Sequence, residues 1–509
     1  MKVHLMHRDR DVDLATPLPA NADDVVQDIE LDTLLDAMAR GDAFLRDVAR
    51  NALLCGLSSP EAIVFRQEIL RDCLHQPDAV RALYEFAVEG VETKRKAMLY
   101  WSRQSPDAVL GRSLDVLALF FDVLKRLRVY AAANAAGFES EGFVRLFEML
   151  DRELDDEYVR GVEREIRELR FAGGAHLSAR LGLGNVGIGY ELRKPFKRRL
   201  RERIRPSGSP SYGFSIAPRD EHGMAVVGEI RGRGVNRAAN ALAQSADHIL
   251  AFFTMLRVEL GFYVSCLNLF ERLSEDGIAT AFPVPSPADA RLLSAQGLVD
   301  APLALHLGAS VVGNNLSADG TRFMMITGAN QGGKSTFLRS LGVAQLMMQA
   351  GMFVTAESFQ ASVCDGVFTH FKREEDATMT HGKLDEELDR MNEIVDSLRP
   401  HSLLMCNESF AATNEREGSE IARHVVRALV EADVRVLYVT HLYDLASDLY
   451  RQPPGSSVFL RTEREPDGHR TFRVVPGEPL PTSYGEDSYR RIFSDDAAPV
   501  LASTPQVSP

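Results

Sequence analysis

The composition of the chain is that of an ordinary folded protein with an acidic balance. Its 509 residues suggest about two to four domains. The net charge of −14 excludes a surface that is basic all over, so any contact with nucleic acid needs a local patch. Five scattered cysteines without a C-x-x-C pair argue against a zinc site or a disulfide framework and favour a reducing, cytoplasmic setting. No apolar run approaches the roughly 18 residues that span a bilayer, and residues 1–10 are too polar for a signal peptide, so no membrane partner is expected.

The first part of the chain is predicted to be mostly helical. Residues 1–24 are polar and contain prolines, which favours an extended arm. From residue 25 to about residue 130, apolar side chains recur at helical spacing, as Leu31, Leu34, Leu35 and Met38 do. Residues 141–171 are amphipathic and rich in charge, which predicts further helices whose acidic face is solvated.

Residues 172–235 change character and contain a basic run. Glycines are frequent, and short apolar groups such as Met224–Val227 predict some strand. Between Arg193 and Arg205, eight basic residues stand against one acid. Such a run could contact DNA or RNA phosphates, or could be a solvated helix face. The candidate DNA-binding residues are Arg193, Lys194, Lys197, Arg198, Arg199 and Arg201.

A long helix follows the basic run. From Leu242 to Phe270, apolar residues alternate steps of four and three, the pattern of a helix packed lengthwise on another. Twenty-nine residues span about 43 Å as a helix. Such a rod could carry motion between distant sites, although a plain core helix would show the same pattern. Phe282–Pro287 then ends the helix and marks a domain boundary.

The stretch from Gly328 to Thr336 fits the phosphate-binding motif G-x-x-x-x-G-K-[ST]. An apolar strand at 322–327 precedes it and an apolar helical pattern ending near Gly351 follows it, which is the setting that the motif requires. Lys334 is expected to reach the β- and γ-phosphates of ATP, and the Ser335 hydroxyl to bind Mg²⁺. The predicted nucleotide-binding residues of the motif are Gly328, Asn330, Gly332, Gly333, Lys334, Ser335 and Thr336.

Two later strands end in polar residues. The apolar run 402–406 is followed by Asn407 and Glu408, and the run 434–439 by Thr440 and His441. Glu408 is expected to polarise the attacking water, and Asn407 to hold Mg²⁺ through water without supplying a negative charge. His441 could sense the γ-phosphate. A solvated carboxylate and a structural histidine are the simpler alternatives, but the carboxyl ends of parallel strands are where ligands of such sheets bind.

These residues resemble a known family. Residues from about 305 to 486 are similar to the ATPase domain of MutS proteins, an ABC-type ATPase. The likeness extends beyond the phosphate-binding motif to several other segments. The long helical pattern of residues 242–270, with Phe282–Pro287 after it, resembles the lever that enters the family's ATPase. In the family, the segment matching Val312–Asn315 lies near the nucleotide base, which implies a nucleotide contact for Asn315. The other matching segments are Asp365–Thr369, Thr413–Asn414, Thr440–Leu445 and Ser483–Gly485.

The resemblance implies an α + α/β protein with two principal domains. A helical core with clamp-like and lever regions would occupy residues 25–287, and an ABC-type P-loop α/β ATPase domain residues 300–495. An arm at 1–24 and a disordered tail at 496–509 complete the division. The resemblance also implies ATP and Mg²⁺ as cofactors, DNA bound through its backbone or shape, and a homodimer in which each P-loop faces the partner's Thr380–Gly382 region.

The sequence also departs from the family. Gly382 falls about where the family has its signature serine, and Asn407 replaces an aspartate, so hydrolysis could be slow. Nothing in these 509 residues resembles the mismatch-reading domain with its phenylalanine-x-glutamate wedge, since Tyr84–Phe86 matches only inside a helical pattern. A carboxy-terminal nuclease-like domain is likewise not expected. The expected function is an ATP-dependent DNA-binding ATPase in DNA repair or DNA-structure processing. The alternative is a nucleotide-gated dimeric binding module with little or no hydrolysis. A third possibility, an ABC ATPase of the SMC or recombination type, predicts a coiled-coil insertion of hundreds of residues, which these 509 residues do not contain.

Overall fold

The protein has a mixed helical and α/β architecture, compatible with the predicted α + α/β class. The computed structural model describes residues 1–98, 105–172, 174–194, 212–329, 331–373, 382–465 and 470–481. By contacts the chain divides into two compact units, each built from two stretches. The first unit combines Met1–Val12 with Asp72–Gly261, and the second combines Asp13–Arg71 with Phe262–Pro509. The domain bounds given above remain predictions.

Helices dominate the chain before residue 170, as predicted. Their N-termini carry local signals; for example, the side chain of Asp155 accepts from the backbone N–H of Tyr158 at the start of α8. The eight helices described there are α1 (Ala22–Asp28), α2 (Leu31–Ala39), α3 (Ala43–Leu54), α4 (Pro60–His75), α5 (Pro77–Met98), α6 (Pro106–Asn134), α7 (Glu141–Glu153) and α8 (Asp156–Leu169).

The first unit is a helical assembly around α6 and the amino-terminal part of a long helix, α9 (Glu221–Glu275). The Phe120 and Phe253 rings lie 5.8 Å apart between these two helices. Gly90 of α5 lies against the Phe253 ring, where a Cβ atom would come within 2.3 Å of it. A larger residue at position 90 would therefore separate α5 from α9.

Helix α9 is longer than predicted. It covers 55 residues and includes Met224–Val227, for which a strand prediction was wrong. The short apolar group resembles a strand locally, but it lies in the first turns of a helix that later packing stabilises. The predicted apolar stripe is confirmed, since Phe253, Leu256 and Leu260 are buried. By length and composition α9 could cross a membrane, yet 72% of its most apolar window is buried inside the protein, as in a core helix.

Strands in the 172–235 region form a two-stranded antiparallel hairpin. It consists of β1 (His176–Leu181) and β2 (Gly187–Arg193). Arg193, the first residue of the basic run, pairs with Glu191 at 2.7 Å and donates to the Ser178 hydroxyl at 2.8 Å. The run from residue 195 to residue 211 lies outside the described residues, so the placement of Lys197, Arg198, Arg199 and Arg201 is not part of this structure.

The amino-terminal residues are packed rather than free. Val3, Leu5 and Met6 are buried within the first unit. The fully buried carboxylate of Glu259 in α9 accepts backbone N–H groups from Leu5, Met6 and Val12. The predicted extended arm is thus tied to α9 by hydrogen bonds to a single side chain.

The second unit is built on a six-stranded sheet with the strand order β12-β11-β6-β10-β9-β8. Strands β11, β6, β10, β9 and β8 run parallel, and β12 is antiparallel to β11. Strands were predicted at 322–327, 402–406 and 434–439, and β6, β9 and β10 confirm them. The strands of this sheet are β6 (Phe323–Thr327), β8 (Val367–Phe371), β9 (Leu403–Asn407), β10 (Arg435–Val439), β11 (Ser457–Arg464) and β12 (Arg470–Pro476).

Within the described residues, the second unit also contains a smaller sheet, five later helices, the helices α1 to α3 and most of α4. The second sheet has the order β3-β7-β4-β5. Its strands are β3 (Val284–Ser286), β4 (Leu293–Leu298), β5 (Asn314–Ser317) and β7 (Ser358–Ser362). The five later helices are α10 (Ala301–Leu307), α11 (Lys334–Gln349), α12 (Lys383–Ser397), α13 (Glu415–Glu431) and α14 (Tyr443–Arg451).

The register of the main sheet places three strand ends side by side. Val439 of β10 lies opposite Ile326 of β6 on one side and Asn407 of β9 on the other. The residues that follow β6, β9 and β10 therefore meet at one edge of the sheet, where ligands of parallel sheets bind.

Candidate functional site

The turn between β6 and α11 holds a buried cation. Lys334 is the first residue of α11 and is 5% exposed. Its Nζ donates to the carbonyl oxygens of Gly328 and Ala329 at 3.0 and 3.1 Å. Burial lowers the pKa of Lys334, and the negative charge of Glu408 opposes this shift. The amino group is thus held inside the turn by neutral acceptors that a phosphate oxygen could replace.

The glycines of the turn are required by close approaches. Gly328 has a φ of +122°, and a Cβ atom there would lie 2.2 Å from Thr462 Oγ1. A Cβ atom at Gly332 would lie 2.8 Å from both Ala329 O and Thr462 Oγ1. Glycine keeps side-chain atoms out of this narrow turn, which is how such turns allow a phosphate to approach backbone N–H groups. Asn330 lies outside the described residues.

Thr462 is a site residue that the sequence analysis missed. It belongs to β11, which pairs with β6 directly before the turn. Its Oγ1 is buried and has no hydrogen-bond partner among the residues that the structure describes. No motif marks this threonine, because only the sheet order places it beside Gly328.

Ser335 and Asn407 meet across the site. The Ser335 hydroxyl donates to Asn407 Oδ1 at 2.9 Å. Serine and amide oxygens are hard ligands of the kind that Mg²⁺ accepts, directly or through water. Within the described residues, no group of three or more His, Cys, Asp or Glu side chains could hold a metal. The two neutral oxygens of Ser335 and Asn407 would suit Mg²⁺ that arrives with the charge of a bound phosphate.

Glu408 and His441 form the second pair of the site. His441 Nδ1 lies 3.4 Å from Glu408 Oε2. The hydrogen bond from His441 is the main reason that the pKa of Glu408 lies below its ordinary value, with Lys334 contributing by its charge. Glu408 is thus an ionised carboxylate at the strand end. Together with Lys334, Ser335 and the glycine turn, this pair lines an open cavity of about 380 Å³.

A second cavity of about 400 Å³ adjoins the turn and is mostly apolar. Val312, Phe337 and Phe472 contribute to its wall, together with Gly333 and Thr336. Phe472 of β12 was not singled out by the sequence analysis, since nothing in the strand pattern distinguishes it. A flat apolar group joined to a phosphate at Lys334 could enter this cavity.

Asn314 lines this cavity, whereas Asn315 was the residue predicted to contact a nucleotide. Asn314 Oδ1 accepts from the backbone N–H of Val474, and its Nδ2 donates to Phe472 O at 3.3 Å. Asn315 Oδ1 instead accepts from the backbone N–H of Gly297 at 2.8 Å. Successive residues of a strand face opposite sides, so only one of the pair can face the cavity.

The other predicted residues lie elsewhere. Arg193 and Lys194 belong to the first unit. Of the segment Thr380–Gly382, only Gly382 is described; it precedes α12 as its N-cap. Ser483–Gly485 lies outside the described residues.

Comparisons with known proteins match both parts of the chain. The family model for the MutS2 N-terminal domain matches residues 58–276. The model for MutS domain V matches residues 324–488, which include the turn, Asn407, Glu408 and His441.

Several curated proteins are similar over part of the chain. A DNA mismatch repair protein MutS of Halothermothrix orenii is 30% identical over 174 residues, which cover 33% of this chain and 19% of the relative. A DNA mismatch repair protein MSH3 of Coccidioides immitis is 30% identical over 232 residues, 44% of this chain and 20% of the relative. An Endonuclease MutS2 of Thermus thermophilus is 32% identical over 124 residues, 24% of this chain and 17% of the relative. The similarity thus spans a fifth or less of each of these three relatives.

Proposed function

Because the chain is a MutS-related protein, we propose that it is an ATP-dependent DNA-binding protein with ATPase activity at the edge of its main sheet. The observation that carries the proposal is one cavity lined by Lys334, Ser335, Glu408 and His441. These residues come from three separate segments, and together they offer a cation for the phosphates, a hydroxyl for the metal and a carboxylate and imidazole for positioning water.

The side chains divide the work of binding and hydrolysis. Lys334 exchanges its two backbone acceptors for β- and γ-phosphate oxygens. Ser335 and Asn407 hold Mg²⁺, which supplies charge neutralisation at the phosphates when it is bound. Glu408, ionised beside His441, orients the attacking water, and His441 donates toward the γ-phosphate. The apolar cavity beside Phe472 takes the base.

DNA is the proposed macromolecular partner. Relatives are named for DNA mismatch repair, and the basic run beginning at Arg193 is the local excess of positive charge suited to phosphates. We place the protein in mismatch repair or related processing of DNA structures, with contacts to backbone or shape. Two copies would face each other, with the Gly382 end of α12 in one copy near the phosphates held by the other.

A second candidate is a nucleotide-gated dimeric binding module with little or no hydrolysis. The observation that favours it is the neutral Asn407 on Ser335, where a carboxylate would hold Mg²⁺ more strongly. Both candidates bind ATP, and they differ in turnover.

The test compares wild type with Glu408→Gln. The proposed ATPase binds ATP·Mg²⁺ in both forms, and wild type turns ATP over at least about a hundredfold faster, the usual order for a residue that positions or activates the nucleophile. Equal turnover with retained ATP affinity would select the binding module, and no affinity for ATP·Mg²⁺ would reject both. Gel-shift titrations with duplex, single-stranded, branched and mismatched DNA, with and without ATP, test the DNA partner.

A further inference from the structure

The turn after β9 has an unusual backbone. Glu408 has a φ of +57° and Phe410 a φ of +61°. Neither residue is glycine, and side chains of this kind adopt positive φ only when the surrounding structure enforces it. The backbone of this turn decides where the Glu408 carboxylate points.

A buried histidine contacts the residue between these two positions. His370 of β8 is 0% exposed, and its Nδ1 lies 2.7 Å from Ser409 Oγ. Its Nε2 lies 2.9 Å from the carbonyl oxygen of Glu387 in α12. A carbonyl only accepts, so Nε2 carries a proton. Burial lowers the pKa of His370 to about 4, so at neutral pH the ring is neutral and Nδ1 accepts from the Ser409 hydroxyl.

Further contacts fix the same turn. The single hydroxyl hydrogen of Ser409 is shared between His370 Nδ1 and the carbonyl of His370, whose oxygen is 2.7 Å away. Tyr438 of β10 donates its hydroxyl to the carbonyl of Ser409 at 2.8 Å. The His370 ring also stacks on Phe410, with 5.4 Å between ring centroids.

Helix α12 is joined to the turn through Glu387 as well. Burial raises the pKa of Glu387, and the charge of Lys372, followed by the nearby backbone N–H groups of Ala412 and Phe410, opposes this shift. The main-chain carbonyl of Glu387 accepts from His370 Nε2, and its side chain lies near the backbone of Phe410 and Ala412. The helix that starts after Gly382 is thereby connected to the backbone that carries Glu408.

We propose that His370 is a positioning residue for Glu408: its bond to Ser409, anchored on α12 through Glu387, holds the turn that directs the Glu408 carboxylate into the cavity. The role rests on the proposed function, because it assigns Glu408 the task of orienting water. His370 itself does not line that cavity.

Two substitutions separate the two ends of the imidazole. His370→Asn keeps a polar group near the position of Nδ1, and His370→Gln keeps one near the position of Nε2. We expect His370→Gln to speed amide hydrogen exchange of residues 408–412 and to lower kcat, each about tenfold, as for one lost hydrogen bond. KM for ATP stays within about twofold, since the phosphate-binding turn is untouched, and His370→Asn stays nearer to wild type in both readouts.

Phe368→Leu is the matched control. Phe368 is buried on the same face of β8 and packs with Met391 and Ile394 of α12 in one core cluster. The Phe368→Leu substitution should lower the melting temperature without changing amide hydrogen exchange at residues 408–412 relative to the rest of the protein. Three results would each overturn the inference. The first is unchanged amide exchange at residues 408–412 in His370→Gln, and the second is an equal rise in that exchange in Phe368→Leu. The third is faster exchange at the turn in His370→Gln with an unchanged kcat. Should wild type not hydrolyse ATP, the proposed ATPase fails, while hydrogen exchange still decides whether His370 holds the turn.

Discussion

The hydroxyl of Ser335 and the amide oxygen of Asn407 lie 2.9 Å apart at the carboxyl edge of the main sheet. They come from the start of α11 and the end of β9, two elements that the chain separates by 72 residues. Both oxygens are neutral, so a cation bound between them would gain two oxygen ligands but no negative charge from these two residues. If the site binds Mg²⁺ as proposed, its affinity depends on the identity of residue 407.

Replacing Asn407 with aspartate should strengthen the metal site. Asn407→Asp keeps the shape and adds a negative charge beside Ser335, so we expect about tenfold tighter binding of Mg²⁺·ATP or about tenfold faster turnover, the order of one charge-assisted contact. Titration of a fluorescent ATP analogue with and without Mg²⁺ measures the first, and steady-state turnover the second. Asn407→Ala serves as the control that removes the oxygen. An unchanged affinity and rate in Asn407→Asp would contradict the assignment.

Removing the imidazole of residue 441 should shift the acid side of the pH–rate profile. The His441 hydrogen bond is the largest cause that lowers the pKa of Glu408. In His441→Ala the pKa of Glu408 rises, so this carboxylate takes up its proton at a higher pH. As pH is lowered, turnover of the variant should therefore begin to fall at a higher pH than that of wild type. The shift is measured in kcat/KM, which reports ionisations of the free enzyme. Glu408→Gln, which has no such ionisation, should show no acid limb of this origin.

The carboxyl of Glu259 should make stability fall as pH rises. Burial raises the pKa of Glu259 to about 7 from an ordinary value of 4.5, outweighing three backbone hydrogen bonds, and Asp11 adds to the shift. The folded state thus binds the proton more tightly than the unfolded state. This term lowers the free energy of unfolding by about 3 kcal/mol between about pH 4.5 and pH 7.

Glu259→Gln tests this, because an amide does not titrate in that range. Urea unfolding followed from pH 5 to pH 8 should show a smaller decline in the variant than in wild type. In Glu259→Gln, an NH₂ group replaces one of the two carboxylate oxygens, so it faces a backbone N–H that it cannot accept from. The variant should therefore be less stable than wild type near pH 5. Parallel pH profiles for the two proteins would refute the raised pKa.

The basic run should control DNA affinity and its salt dependence. Reversal of the charges at Lys197, Arg198, Arg199 and Arg201 to glutamate removes positive charge that could neutralise phosphates, so both affinity and the slope of its logarithm against salt should fall. The control changes the same net charge elsewhere, by reversing Arg152, Arg160, Arg164 and Arg167, which lie outside the run. Equal loss in both variants would indicate a general effect of net charge, and no loss in either would place DNA elsewhere.

Much of the second unit could be predicted from the sequence because its signals are local. The glycine turn is contiguous, β6, β9 and β10 are short apolar runs of strand length, and α11 keeps helical spacing. Once these strands are taken as parallel, the meeting of Lys334, Glu408 and His441 follows from the rule that strand ends share one edge. The same local reasoning failed at Met224–Val227, where four residues matched a strand but belong to a helix of 55.

Tertiary structure decided the remaining contacts. Four of these contacts join segments that are distant in the chain. They are Thr462 beside Gly328, Asn314 rather than Asn315 at the apolar cavity, His370 against the turn that carries Glu408, and Glu259 with the amino-terminal residues. Periodicity and motifs report which face of an element is apolar and where a turn begins, since these depend on neighbouring residues. They do not report which strand lies beside which, or which buried polar group meets which donor, because those choices are made by the packing of the whole chain.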